Sequence, residues 1–287
     1  MADHKHLFPI EKMSKVFGVS RSGYYRWLSA GPSPRTLENL ELKKKIQKIW
    51  IASRKRYGSP RIHRQLLRSG SKASRPRVAR LMRSMGIASQ VRNKWVATTD
   101  SRHAYPVAPN LLDRKFKSGQ IGKVFVGDIT YLPSRNGWLY LTAVMDLADR
   151  KVIGWSVSET MKAEQTSIES WKMARRNRPI SDDAVFHSDR GVQYACDAFG
   201  RLLQASNVRQ SMSRKGDCWD NAPMESFFKT LKAELGMQQP FEDYKHARQV
   251  IFEFIEIWYN RKRLHSALDY RTPAEMEELL LTHKPAA

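Results

Sequence analysis

The sequence predicts an α/β domain over residues 121–240, with a basic all-helical region before it and a helical extension after it. Three observations carry this reading. First, the runs KVFVGDITYL, WLYLTAVMDL and KVIGWSVS are strand-like. SRNG at 134–137 separates the first two, and Ala148, Asp149 and Arg150 separate the second from the third, so the three form an antiparallel meander. Second, the pattern then alternates. A helix over 162–177 is followed by the strand VFHS, a helix over 197–205, the short strand VRQSM and a helix from Asn221. Third, residues 41–100 hold 17 Lys/Arg against 2 acids, whereas residues 121–240 hold 16 against 14. The order strand-strand-strand-helix-strand-helix-strand-helix is that of the ribonuclease-H-like α/β fold.

The 287 residues suffice for one large domain or two to three small ones, and 41% hydrophobic content is that of a globular chain. A formal charge of +22 points to a polyanionic partner, and its segmental placement favours nucleic acid over an evenly hydrated basic surface. Cys196 and Cys218 form no CxxC pair, so no disulfide framework is expected. His4 and His6 have no cysteine pair nearby for structural zinc. Without a signal peptide or an 18-residue apolar run, the expectation is a cytoplasmic protein with no membrane role.

The N-terminal elements follow from periodicity and caps. Residues 9–29 read as two short helices around a turn at Gly18. Ile10, Met13, Val16 and Phe17 have helical spacing, Ser20 is placed to cap the second helix, and Tyr24 and Trp27 are expected to pack. A helix-turn-helix and an ordinary helical hairpin stand level there. GPSP at 31–34 marks a boundary, and a helix follows over 37–52 with Leu40, Ile46, Ile49 and Trp50 for burial. The next helix is expected to start at Ser59 as cap, with Pro60 at its first position and Ile62, Leu66 and Leu67 inside. Ser74 can cap the one after, with Val78, Leu81, Met82 and Met85 inside. This leaves Arg61, Arg64, Arg68, Arg75, Arg77 and Arg80 outward, a second helix-turn-helix candidate facing DNA. Residues 96–120 lack periodicity and read as a linker.

Three acids stand out. Asp128 lies in the first strand run, Asp189 follows the VFHS strand, and Glu225 falls in the first turn of the helix that Asn221 is expected to cap, with thirty-five residues between the last two. Carboxylates from strand ends and a helix suit two Mg²⁺ ions, with Mn²⁺ as a substitute, in phosphodiester chemistry without a covalent enzyme intermediate. Asp146 also ends a strand, and spacing alone sets Asp128 only slightly ahead of it. Met224, Phe228, Leu231 and Leu235 would pack the helix on the sheet, while Lys229 and Lys232 share the face of Glu225. Lys229 is either an i,i+4 partner of Glu225 or a phosphate contact, and the second reading is preferred. Asp217 and Asp220 are expected only to cap or to bind Arg214.

GDITYL, HSDRGVQY and MSRKGDCWDNAPMESFFKTLKAE resemble the transposases of bacterial insertion sequences of the insertion-sequence-three family. RYGSPRIHRQL and WYNRKRLHSALDYRTPAE extend the resemblance from about Tyr57 to the C-terminus. It implies a second-reading-frame product with a retroviral-integrase-like core. It also implies Asp128, Asp189 and Glu225 as catalytic and metal-binding residues, and Lys232 at the basic DNA-contacting position. The implied activity is Mg-dependent 3′-end cleavage and strand transfer on double-stranded DNA, at the terminal inverted repeats and at target DNA. A homo-oligomer and a bacterial, nucleoid-associated location go with it. In that family a first-frame protein supplies a helix-turn-helix and zipper. The full transposase of that family is usually a fusion of the two frames; this chain shows no sustained heptads, so that contribution is expected from a first-frame partner or from the front of a fusion. Two rival readings are a non-catalytic DNA-binding regulator and a nuclease that only hydrolyses.

At the C-terminus, ARQVIFEFIEIWYNRKR reads as an amphipathic helix burying Val250, Phe254, Ile257 and Trp258. Tyr259, Asn260, Arg261, Arg263 and His265 form a basic, aromatic cluster, with Arg261 and Arg263 expected near DNA. A last short helix is expected in EMEELLLTHKPAA. The expected segments are 1–34, 35–95, 96–120, 121–240 and 241–287.

Overall fold

Capping residues set the helix boundaries at the N-terminal end of the chain. The computed structural model describes residues 1–89, 105–236 and 239–282, except the side chain of Cys218. The chain divides into two units, 1–89 and 90–287. No helix among the described residues is long and apolar enough to cross a membrane.

Helices α1 (Ile10–Phe17) and α2 (Arg21–Ser29) form the expected pair. Ser20 Oγ accepts from Gly23 N–H at 3.0 Å. A Cβ on Gly23 would stand 2.7 Å from that Oγ, so the glycine makes room for the cap. Met13 and Tyr24 are buried, but Val16, Phe17 and Trp27, expected inside, are exposed. Helix α3 (Pro34–Ala52) starts three residues earlier than expected, because Ser33 Oγ accepts from Thr36 N–H and Pro34 fits the first turn. It buries Leu42 and Ile46, while Leu40 faces solvent.

Helix α4 (Ser59–Arg68) has Gly58 at its cap position, so Ser59 lies inside the helix rather than capping it. Ile62 and Leu66 are buried and Leu67 is exposed. In α5 (Arg75–Ser84) Ser74 caps as expected and Val78, Leu81 and Met82 are buried. Arg77 does not face outward. Its Nε donates to Asn39 Oδ1 and its second terminal nitrogen to Glu38 Oε2, both at 2.9 Å, joining α5 to α3. Arg61 lays its guanidinium over the Tyr57 ring, 5.7 Å from the centroid. Arg64, Arg68, Arg75 and Arg80 are exposed.

The second unit is built on a five-stranded sheet in the order β3-β2-β1-β4-β5. The strands are β1 (Val124–Ser134), β2 (Gly137–Asp146), β3 (Val152–Ser158), β4 (Ala184–Ser188) and β5 (Val208–Met212). The first three form the antiparallel meander, and β4 and β5 add in parallel beside β1. Helices α6 (Ser167–Asn177), α7 (Val192–Ala195) and α8 (Asp197–Gln204) supply the crossovers. Phe125, Trp171, Phe186, Tyr194 and Phe199 form the buried centre, in edge-to-face and tilted ring contacts. On β4, His187 is buried between Ser211 Oγ at 2.8 Å and Ser213 Oγ at 3.1 Å. Burial pushes its pKa down to about 4, against the opposing pull of Asp220.

Helix α9 (Ala222–Leu235) is followed by α10 (Tyr244–Phe252), which runs into a π-helical stretch, Glu253–Tyr259. The wider turn shifts the helical phase. Phe254, Ile255, Trp258 and Tyr259 are therefore buried and Ile257 is exposed, contrary to the regular pattern. Asn260 bonds both the N–H and the C=O of Val152. Arg263, expected near DNA, is only 6% exposed and donates to Glu234 Oε1 at 2.8 Å, with Trp258 Nε1 donating to the other oxygen. His265 is buried as well, which leaves Arg261 as the exposed cation of that expected cluster. The last helix, α11 (Pro273–Thr282), sends Glu277 to Arg178 and Lys151. Arg178 is buried and also pairs with Asp146 and Asp149, each at 2.7 Å.

Replacing Arg178 with Ala leaves two buried carboxylates without their cation, and it should lower unfolding free energy by about 3–5 kcal/mol in urea titrations; an unchanged midpoint would refute the role. The His187 pKa predicts the sign of an acid effect. The ring stays neutral in the folded protein and takes a proton in the unfolded chain below about 6.5. Its contribution to stability should therefore be intact above that pH and lost as pH falls toward 4. Thermal melts of wild type and His187→Gln should show the wild type losing more stability across this window.

Candidate active site

Strand pairing brings the first two acids together. β1 and β4 pair in parallel with Val124 opposite Val185 and Val126 opposite His187. Carrying that register on by two residues sets Asp189 beside Asp128. The pairing is tight at this point: a Cβ on Gly127 would meet the Phe186 ring at 2.5 Å, so only glycine lets the ring pass under β1.

The third acid arrives on α9. Asn221 precedes this helix but does not cap it through its side chain, as the sequence suggested. Its Nδ2 instead donates to Gly127 O at 3.1 Å, which fixes the start of α9 to the strand residue next to Asp128. Met224, Phe227, Phe228 and Leu231 are buried beneath the helix, and Glu225 is half-buried. Phe227 was not expected inside. Leu235 is only partly covered because Glu234 takes the buried position.

The electrostatics couple Asp128 to the other two acids. Asp128 is held well above the usual carboxylate range, first by burial, then by the negative charges of Asp189 and Glu225. The Ile129 N–H, which donates to Asp128 Oδ1 at 2.7 Å, and the Lys232 ammonium oppose that shift. Lys232 itself is pushed down by burial and pulled up by Asp128, which places this lysine within electrostatic reach of the acid. Asp189 Oδ1 accepts from Gly191 N–H at 3.0 Å. Glu225 Oε2 accepts from Lys229 Nζ at 3.1 Å, the i,i+4 pair that the spacing offered beside the preferred phosphate contact. Among the described residues no three His, Cys, Asp or Glu side chains stand close enough to form a ready cage for a metal. Three confined carboxylates repel one another, and Asp189 and Glu225 are turned toward other donors. A hard oxygen donor set with this excess charge is of the kind that divalent magnesium or manganese takes.

Asp146, the rival to Asp128, is used elsewhere. It accepts from Gly122 N–H, Ala148 N–H and Arg178, and it lies opposite Phe125, whereas Asp128 lies opposite Ala143.

The loop before α9 is braced by a segment that sequence reasoning missed. Residues 105–120 of the expected linker are described and residues 96–104 lie outside the described residues. Leu111 N–H donates to Ser211 Oγ and Leu112 is buried. From this strap Asn110 and Arg114 reach the fully buried Asp220, which also receives Arg214 through its backbone and guanidinium. Arg214, and with it Arg114, holds the Asp220 carboxyl well below its usual range. Binding of Arg214 by Asp217 and Asp220 matches the sequence reading, and Asp217 Oδ1 also accepts from Trp219 N–H. No periodicity betrays the strap. Its one sequence signal is the pairing of Arg114 with an Asp-rich loop far along the chain.

Comparison with known proteins identifies the family. The family described as Integrase core domain matches residues 120–218, a second Integrase core domain family matches 206–273, and the HTH-like domain family matches 37–95. A 31 kDa protein of insertion element IS600 from Shigella sonnei is 40% identical over 266 residues, covering 93% of this chain and 97% of that protein. Transposase InsF for insertion sequence IS3A from Escherichia coli (strain K12) is 36% identical over 280 residues, 96% of each chain. Among solved structures, the integrase catalytic core domain of HTLV-2 in complex with magnesium aligns with a TM-score of 0.40 and 12% identity, over 54% of this chain and 96% of that one. With a relative of named function this similar over nearly its whole length, and with integrase-core families matching the sheet and α9, the chain belongs to the IS3 family of insertion-sequence transposases.

Proposed function

We propose that this protein is a polynucleotidyl transferase that cleaves the 3′ ends of an insertion sequence and joins them to DNA, with Asp128, Asp189 and Glu225 as its catalytic residues. The observation that carries the reading is the approach of three acid-bearing elements: the β1–β4 register runs on from Val126 opposite His187 toward Asp128 and Asp189, and Asn221 ties the start of α9, which bears Glu225, to Gly127 O; the like charges of Asp189 and Glu225 both raise the Asp128 pKa. Two Mg²⁺ ions, or Mn²⁺ in their place, held by these three carboxylates would activate a water or a 3′-hydroxyl and stabilise the leaving oxygen. The chain does the rest. Asp128 stays rigid on β1, Asp189 is set by the β4 end, and Glu225 is carried by α9 against Gly127. Lys232 lies beside Asp128 and is suited to a backbone phosphate brought there. Lys229 can exchange Glu225 for phosphate once that carboxylate is otherwise engaged. Each transesterification exchanges one phosphodiester for another, so no nucleotide cofactor is needed.

Arg64, Arg68, Arg75 and Arg80 on the HTH-like helices, with Arg61, and Arg261 at the C-terminal end are proposed DNA contacts to the terminal inverted repeats and target. Joining two ends calls for a homo-oligomer, and a first-frame protein is the proposed partner for end recognition. A bacterial protein acting on the nucleoid follows. The competing regulator would bind ends without joining them, and a plain nuclease would hydrolyse without joining.

On a labelled duplex carrying an element end with Mg²⁺ or Mn²⁺, wild type should give joined products. Asp128→Asn, Asp189→Asn and Glu225→Gln should each fall below about one-hundredth of that, the scale of removing one charged group from such a site. Asp146→Asn should keep its joining chemistry per folded molecule. Wild type that binds ends yet joins nothing, even with a first-frame partner, would reject the catalytic reading; nicked but unjoined product would select the nuclease.

Melting without metal gives an independent test. A raised folded-state pKa favours folding only below the ordinary carboxylate value of 3.8 and costs stability as pH rises through the raised value. Asp128→Asn should therefore melt higher than wild type at pH 8 in chelator. Mn²⁺ should raise the wild-type Tm and leave the variant unmoved; equal shifts in both would place the metal elsewhere.

A further inference from the structure

The turn that leads into α9 holds an indole out in water. Trp219 is 67% exposed, more than any other described aromatic side chain of the second unit. Leaving so large an apolar group open forgoes the burial that Trp normally obtains. The backbone around it is nevertheless held by bonds on both sides. On one side Asp217 Oδ1 accepts from Trp219 N–H at 3.2 Å, and Asp217 is bound by Arg114. On the other, buried Asp220 is bound by Asn110, Arg114 and Arg214, and Asn221 is tied to Gly127 O beside Asp128. None of these bonds uses the indole. They fix where it stands: two residues before the anchor of α9 and six before Glu225.

An open aromatic face on an anchored backbone selects a flat partner. Arg214 on the same turn is engaged by Asp220 and Asp217, but Lys215 beside it is exposed, so a partner carrying negative charge is accommodated. Nucleobases of a DNA strand meet both demands, since every base has a π-face and carries its phosphate with it. A scissile phosphate must also leave the regular duplex to reach acids recessed at the sheet. The nucleotide beside it then loses its stacking neighbour, and an indole next to the site replaces that neighbour.

We propose that Trp219 is a stacking platform for an unpaired nucleobase of the DNA end bound at Asp128, Asp189 and Glu225. The proposal rests on the active-site reading above for the position of that end. Sequence-tolerant stacking is the expected mode, so the platform would hold the strand in place without choosing its sequence.

The test is binding by the full chain in chelator, where no strand is cut. The probes are duplexes carrying the terminal repeat that flanks the coding sequence, with the last nucleotides either paired or mismatched. Wild type should prefer the mismatched end. Trp219→Ala should lose that preference, with roughly 10- to 100-fold weaker binding of the mismatched end, and Trp219→Phe should retain most of it. A 5-iodouracil placed at the mismatch should photo-crosslink to Trp219. Equal preference in wild type and Trp219→Ala would overturn the proposal. So would crosslinks confined to other residues, or a Phe variant as defective as Ala. The readouts also separate the two claims. An aromatic-dependent preference in a protein that joins nothing with metal present would keep the platform and reject the transferase. Normal joining by Trp219→Ala, with Asp128→Asn inert, would do the reverse.

Discussion

The parallel pairing of β1 with β4 is the constraint on which the site depends. It directs two acids from distant parts of the chain toward the same level of one sheet. Its closeness comes from Gly127, which leaves room for the Phe186 ring. That ring in turn packs on Trp171, Tyr194 and Phe199, so the core and the site share one residue. A side chain at position 127 would push β1 off Phe186 and also disturb the carbonyl that anchors Asn221. Position 127 thus governs all three acids: Asp128 by sequence, Asp189 by pairing and Glu225 through the helix start.

Charge is organised in two ways in this chain. Some ions are buried and fully paired, as in Arg178 with Asp146, Asp149 and Glu277, or Arg263 with Glu234. These pairs join segments, and their partners are spoken for. At the candidate site Glu225 pairs with Lys229 and Asp189 accepts from Gly191 N–H, while burial and the negative charges of both work against ionisation of Asp128, opposed by Lys232. Folding that leaves like charges in this state does so at a cost in stability, and a dication is the simplest species that relieves it.

Much of this was legible in the sequence. Strand alternation, tight turns and helix caps are local signals, and they gave the sheet elements in order, with Asp128, Asp189 and Glu225 on the elements where they stand. What was not legible depends on partners distant in the chain. Arg77 and Arg263 look like surface cations until Glu38 and Glu234 are found beside them. Ile257 looks buried until a π-turn changes the phase of its helix. Asn221 has the composition of a helix cap, but a strand carbonyl takes its amide. Lys229 pairs with its i,i+4 carboxylate, one of the two roles the spacing offered it.

The same long-range bonds explain why segment boundaries drawn from composition do not divide the catalytic unit physically. The sheet and α9 read as complete between residues 121 and 240. Yet Asp220, which fixes the approach to α9 and is bound first by Arg214, also takes Arg114 and Asn110 from the strap. Glu234, at the other end of α9, is satisfied by Trp258 and Arg263 from the C-terminal extension. Asp146 and Asp149 depend on Arg178, which α11 helps to hold through Glu277. A core cut at 121 and 240 would keep every proposed catalytic residue and leave buried carboxylates at both ends of α9 short of partners. Because breaking a buried pair costs far more than forming one gains, the strap and the extension act as parts of the site's scaffold. The helix that carries Glu225 is positioned from three directions: by the sheet beneath it, by the strap at its start and by the extension at its end.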